Sequence, residues 1–271
     1  VSGAGDVTGA AAVSGGTVRI SNGSRIESTG VSPFSHAVSA ITNDANMPGA
    51  TFEATDSTLI SAHGLGVAVN GGATARLTNT TVEAGRNAVG FEAPPAPFDR
   101  PSTISISGGS LHSAEATVGA VSGRGTVTLS NGVQISSDNG VLAQVNPSAA
   151  LTLNIDSVRA AGDLVASPGG ALDFNLTRGS SLTGQASNAG HGTIDATSLW
   201  TLTGNSGIAS MRNDGTIAFA APTGGGFKQF EVNGNYVANA GHLMVNTALG
   251  GDTSATDKLV IIGTTSGQTN V

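Results

Sequence analysis

Residues Thr126–Ser137 read T-V-T-L-S-N-G-V-Q-I-S-S. Val127 and Leu129 alternate with threonine, a period of two that gives an extended strand one inward and one outward face. Asn131-Gly132 then marks a turn, and Val133 and Ile135 open a second short apolar stretch. The same unit recurs along the chain. It begins at Thr17 (T-V-R-I-S-N-G-S-R-I-E-S), Thr51 (T-F-E-A-T-D-S-T-L-I-S-A), Ala75, Thr103, Ala150, Ala171 (A-L-D-F-N-L-T-R-G-S-S-L-T) and Thr193. Weaker strands lie between units, such as G-V-A-V at Gly66, A-V-G-F at Ala88 and V-L-A-Q-V at Val141.

A repeat of roughly 20 to 25 residues lies in the range of solenoids. The connections are too short to hold helices, which excludes a βαβ architecture and a leucine-rich horseshoe. Three short strands per repeat describe a parallel β-helix whose coils stack about 4.8 Å apart. Parallel crossovers are right-handed in nearly all cases, so the expected fold is all-β, a right-handed parallel β-helix. An irregular β-sandwich is the alternative. Val18, Phe52, Leu77, Ile104, Val127 and Leu151 are the expected members of one inward row, within about a residue of register.

Composition agrees. Aromatic residues are 4% of the chain and charged residues 11%, against roughly 25% charged in an average globular protein. The core must therefore be aliphatic. Forty glycines favour frequent turns, and regularly spaced Val, Ile and Thr argue against disorder. A net charge of −7 without a basic block offers nothing to neutralise phosphates, so no nucleic-acid partner is expected. With no cysteine, the core alone holds the fold. Val1 begins in mid-pattern and no signal peptide opens the chain, as expected for a mature product or an excised fragment.

Two segments break the rhythm. Residues 29–49 contain Pro33 and Pro48; residues 92–101 read E-A-P-P-A-P-F-D-R-P. Proline removes a ladder donor, so the second should protrude as a stiff loop. Pro94, Pro95, Pro97, Phe98, Asp99 and Arg100 are its candidate host-contact residues, with Phe98 and Arg100 as anchors. The bland alternative is a variable insertion without a ligand.

Chemistry is sparse. A glycosidase needs two carboxylates across its substrate, and Asp156, Asp173 and Asp195 fall in consecutive repeats. Asp156 reads as a turn residue, and the other two as outward strand positions, where acids commonly serve solubility. His36, His63, His112, His191 and His242 are scattered, without ligand spacing, and are expected in loops or on the surface. No G-x-S-x-G or Walker loop occurs. No catalytic residue, metal site or cofactor is expected.

From Phe230 the pattern changes: F-E-V-N-G-N-Y-V-A-N-A-G-H-L-M-V-N-T-A-L-G-G-D-T-S-A-T-D-K-L-V-I-I-G. The residues before Ala238 and those after Gly241 read as two antiparallel strands. K-L-V-I-I-G reads as a strand buried on both faces. Such a block would cap the open end of the solenoid, which otherwise exposes strand edges and its apolar interior.

The ordered string G-N-Y, G-H-L-M-V-N-T, L-G-G-D, T-D-K-L-V-I-I-G-T-T-S-G (Gly234–Gly267) resembles the junction of a pertactin-like autotransporter passenger. The resemblance implies a right-handed β-helix over residues 1–226. It implies an autochaperone-like cap over residues 227–271, with Phe230, Tyr236, Leu243, Val245, Leu259 and Ile261 in its core. The cap would end incomplete at Val271, before a linker and a membrane β-barrel. The implied location is the surface of a Gram-negative bacterium or the medium. The implied role is a non-catalytic adhesin or virulence factor, with host cell-surface or serum proteins, or sister cells through self-association, as partners. Alternatives are a polysaccharide-acting enzyme and a stalk for an effector upstream of Val1. An Arg-Gly-Asp tripeptide is absent; the nearest run is Arg124-Gly125-Thr126, so integrin binding by that route is not implied.

Overall fold

The computed structural model describes residues 1–271 except Ala4, Ala45, residues 93–99, Gly225 and Asp252. The described residues form thirty strands and no helix. Every strand pairs in parallel with a counterpart in an adjacent coil. The result is a β-solenoid of about ten turns with three sheets along its sides.

The first sheet has eight strands, from Thr8–Val13 to Ala186–Ser187. The second carries the T-x-T units: Thr17–Ile20, Thr51–Thr55, Thr74–Thr78, Ser102–Ser107, Arg124–Ser130, Ala150–Asp156 and Ala171–Thr177. The third begins with Arg25–Ser28, Thr58–Ser61, Thr81–Ala84, Ser110–Ser113 and Gln134–Ser137. It resumes with Arg159–Ala161 and Ser181–Thr183.

Alternation works as the sequence requires. In Ala150–Asp156 the odd-numbered residues Leu151, Leu153 and Ile155 are buried and the others are half-exposed. Stacking in register turns each inward position into an aliphatic row. One row runs Val18, Phe52, Ala75, Ile104, Val127, Leu153, Phe174. Leu77 and Leu151 were expected in it but belong to the flanking rows, beside Ala54 and Leu172 respectively. The period of two explains the displacement: a shift of two residues keeps a side chain inside while changing its row.

The turn from the second to the third sheet holds a left-handed residue in most coils. Asn22, Asp56, Asn79, Asn131 and Ser157 have φ between 46° and 58°, and Arg178 has 54°. Asn and Asp tolerate this region because their short side chains bond locally. The serines that close the third-sheet strands are capped: buried Ser61 Oγ donates to the Ser35 carbonyl at 2.8 Å, and half-buried Ser137 Oγ to that of Val141 at 2.9 Å.

Residues 29–49 are not one loop. His36–Ile41 is an ordinary first-sheet strand, paired with Thr8–Val13 and Val67–Asn70. Its core positions, Ala37, Val38 and Ala40, are too small to give a strong sequence signal.

The coil changes form at Ser206. Ser206–Asn213 is one eight-residue strand that serves two sides of the solenoid. Its first half pairs with Gln229–Val232 and its second with Tyr236–Met244. The two strands expected to be antiparallel are instead successive parts of the next parallel coil. Tyr236–Met244 continues through a bulge at Ala240, where φ is 57°, so Ala238 to Gly241 is not a hairpin turn. Lys258–Ile261 is half-exposed rather than buried on both faces, because it lies in the last described coil and pairs with Gln229–Val232 alone. Thr265–Asn270 is largely exposed and extends the stack by pairing with Tyr236–Met244.

Candidate functional site

Of the six candidate contact residues in the proline-rich segment, Pro94, Pro95, Pro97, Phe98 and Asp99 lie outside the described residues. Arg100 is described, and its guanidinium is engaged. Nη1 and Nη2 each donate to the Met47 carbonyl at 3.3 Å, and Nη2 reaches that of Asp44 at 3.5 Å. Arg100 thus meets the loop before Thr51.

A charged cluster sits where the segment leaves the coil. Glu92 ends the strand Val89–Glu92, with its side chain 7% exposed. Arg86 Nη1 donates to Glu92 Oε1 at 2.8 Å and to the Pro33 carbonyl at 3.1 Å. His36 Nε2 lies 3.4 Å from Glu92 Oε2. Burial, reinforced by the Arg86 charge and opposed by Asp6, pushes the His36 imidazole down to about 4. Burial pushes the Glu92 carboxyl up, against the pull of Arg86. His36 was expected in a loop or on the surface; it is instead the first residue of a strand, with a side chain 12% exposed. Set between Ser35 and Ala37, it gave no periodic signal.

The three acids are separately engaged. Asp156 ends its strand and forms a two-pronged pair with the Arg178 guanidinium. Asp173, an outward strand residue, accepts the His191 amide at 2.7 Å. Asp195 follows its strand rather than lying in it. Burial pushes its carboxyl up, but bonds from Ser198, the Arg178 amide and Thr197 outweigh that and hold it below the carboxylate range. The depression beside Asp173 holds about 220 Å³ and is lined by Arg124, Thr126, Thr152 and Ala171. Asp173 is its one acid among the described residues. Among the described residues, no group of three or more His, Asp or Glu is placed to hold a metal ion.

The outer face of the second sheet carries a column of threonines in strict register: Thr17, Thr51, Thr74, Thr103, Thr126 and Thr152. Their hydroxyls make no hydrogen bond among the described residues. The neighbouring column is internally satisfied: Asn175 Nδ2 donates to Asn154 Oδ1 at 2.8 Å, Asn154 Nδ2 to Thr128 Oγ1 at 3.2 Å, and Thr193 to Asn175.

In the C-terminal coils, Phe230 is fully buried, Tyr236 is 3% exposed and Leu243 is 7% exposed. Leu259 and Ile261 pack against the same core while half-exposed. Val245 does not join them: it is 37% exposed, because the strand ends at Met244. Asp257 is the residue sequence reading missed. Its carboxylate accepts the Lys228 amide at 2.7 Å, the Asn246 amide at 2.8 Å and Asn246 Nδ2 at 2.7 Å. Burial pushes this carboxyl up, and the three bonds more than reverse that, holding it below the usual range. Asn246 also donates to the Phe219 carbonyl, which links three coils at one point. The N-T and T-D-K pieces quoted above supply this node, so the signal was present without its role.

Residues 206–271 match the family model of the Autochaperone Domain Type 1. The match begins at Ser206, the residue at which the coil merges two of its sides. A parallel β-solenoid carrying this domain fits a pertactin-like autotransporter passenger with its autochaperone region. The chain is also similar to the Uncharacterized protein YuaQ of Escherichia coli (strain K12), 41% identical over 71 residues. That alignment covers 26% of this chain and 5% of the relative, so the chain spans a small part of that protein's length.

Proposed function

We propose that this chain is the non-catalytic binding part of an autotransporter passenger, displayed on or released from the surface of a Gram-negative bacterium. Its partners are host cell-surface or serum proteins, or sister cells. The observation that carries this reading is the threonine column, six hydroxyls from successive coils on a sheet face, without partners among the described residues. Hydroxyls both donate and accept, and strands about 4.8 Å apart present them at a fixed pitch on a rigid support. Such an array recognises extended surfaces by many weak contacts, and it supplies no pair of carboxylates for glycosidic cleavage.

The test is adhesion of the purified chain to epithelial cells, immobilised serum proteins and itself. Wild type is compared with a T51K/T103K/T152K variant and with a chain lacking residues 93–99. Binding abolished by the lysines and kept by the deletion supports the face. Binding lost only with the deletion moves the contact to the proline-rich segment. A folded wild-type chain that binds nothing overturns the proposal in favour of a stalk.

A further inference from the structure

We propose that Arg86, Glu92 and His36 form an acid-opened latch, which fastens the segment around Pro33 to the side of the solenoid at neutral pH and lets it go in acid. Arg86 is the hub. Its Nη1 is shared between Glu92 Oε1 at 2.8 Å and the Pro33 carbonyl at 3.1 Å. Its Nε lies 3.6 Å from Glu115 Oε2, in the next coil. The carboxylate of Glu92 thus aims the guanidinium at Pro33, while the Asn70 side chain holds the Glu92 amide at 2.8 Å. The fit is close: a Cβ on Gly64 would fall 1.7 Å from the Ser35 carbonyl oxygen, so the segment lies directly on the coil backbone.

Two buried atoms in the cluster, His36 Nδ1 and Glu92 Oε2, lack a hydrogen-bond partner. Asp6 from the N-terminal segment and Glu115 from the following coil both act on Glu92, and Asp6 and Arg86 act on His36. At neutral pH the cluster holds Arg86 as a cation, Glu92 as its anion, and His36 uncharged. On acidification the Glu92 carboxyl, raised above 4.5, takes its proton first. His36 follows at about 4. The order matters: the imidazolium forms beside the Arg86 cation after the carboxylate between them has been neutralised. Two like charges then share a poorly solvated site, and hydration of both favours opening. Neutral contacts, Ser61 Oγ to the Ser35 carbonyl at 2.8 Å and the Val7 amide to Ser35 Oγ at 3.1 Å, also hold the segment and resist opening.

The test is hydrogen exchange read by mass spectrometry on the whole chain between pH 7 and pH 3.5, corrected for intrinsic exchange rates. Far-UV circular dichroism monitors the coils. Peptides spanning residues 31–36 are expected to exchange at least tenfold faster below pH 4 than at pH 7, with the β signal unchanged. E92Q, in which position 92 no longer titrates, should keep an acid-opened profile set by His36 alone. H36Q, which cannot become an imidazolium, should stay protected to lower pH than wild type. Equal protection of residues 31–36 across the range in wild type overturns the latch. So does identical acid behaviour of wild type and H36Q, a comparison that remains available if E92Q does not fold.

Discussion

The Trp200 indole stands edge-on to the Phe230 ring, with centroids 5.2 Å apart and planes at 77°. Phe174 packs on the other side of Trp200 at the same distance and 73°. The three rings form a continuous aromatic stack in a largely aliphatic core. Phe174 and Trp200 precede Ser206, and Phe230 lies within the autochaperone match. Trp200 is fully buried, and its Nε1 donates to the Gly184 carbonyl at 3.1 Å. Edge-to-face pairs add about 0.5–1.5 kcal/mol beyond burial.

Truncating Phe230 removes both the ring and its contact. F230A is expected to cost about 3–5 kcal/mol, the range for a buried aromatic replaced by alanine. Urea unfolding followed by the fluorescence of Trp200, the single tryptophan, checks this. A stack that couples the two regions shifts the Trp200 transition even though the substitution lies downstream. An unchanged transition would show that the coils before Ser206 unfold independently.

Asp257 accepts three bonds that its neighbours cannot replace. D257A should cost about 2–4 kcal/mol, since bonds to a charged acceptor contribute about 1.5–3 kcal/mol each but are not additive. Faster amide exchange in Lys258–Ile261 should accompany the loss. The folded carboxyl lies below its ordinary 3.8. Its contribution is therefore fully present above that value and disappears as pH falls through the lower folded value. Denaturant midpoints of wild type and D257A should converge in that acid range.

His36 has the opposite chemistry and a different window. Its folded value is depressed from 6.5 to about 4, so the unfolded chain binds the proton first. Stability tied to the neutral imidazole is complete above 6.5 and falls progressively between 6.5 and about 4. At about 1.4 kcal/mol per pH unit, the loss is about 3 kcal/mol. Glu92, raised by burial, gains stability as it protonates and offsets part of this in wild type. The difference between the wild-type and H36Q pH profiles isolates the histidine. Parallel profiles would show that the imidazole is more solvated than its 12% exposure implies.

Asn131 occupies the left-handed turn position with φ of 53°, followed by Gly132 at 68°. N131A places a Cβ residue without local bonding there and should cost about 1–2 kcal/mol. It also removes the bond from Asn131 Nδ2 to Ser107 Oγ at 2.7 Å. N131G should recover most of the turn term in thermal melts. Equal losses in both variants would assign the cost to the Ser107 bond instead.

The sequence by itself determined the coil. Period-two alternation in units such as T-V-T-L, joined by turns too short for helices, leaves a chain few ways to bury Val, Leu and Ile except by stacking repeats. The ordered C-terminal pieces marked the autochaperone region by their resemblance to that family. Register was legible only to within the period: Leu77 and Leu151 were placed inside correctly and in the wrong row, since local alternation does not record which neighbour a strand meets. The direction of pairing after Ser206 was not legible either. An apolar strand followed by a turn and a second strand has the same local pattern whether it folds back or climbs to the next coil. Only the tertiary structure decided that Val245 is exposed, that Asp257 holds three coils together, and that Arg86 brings Glu92, Pro33 and Glu115 to one point. These relationships join residues of different coils, up to 53 positions apart for Arg86 and Pro33. Burial and charge act through space, and no periodicity along the chain encodes them.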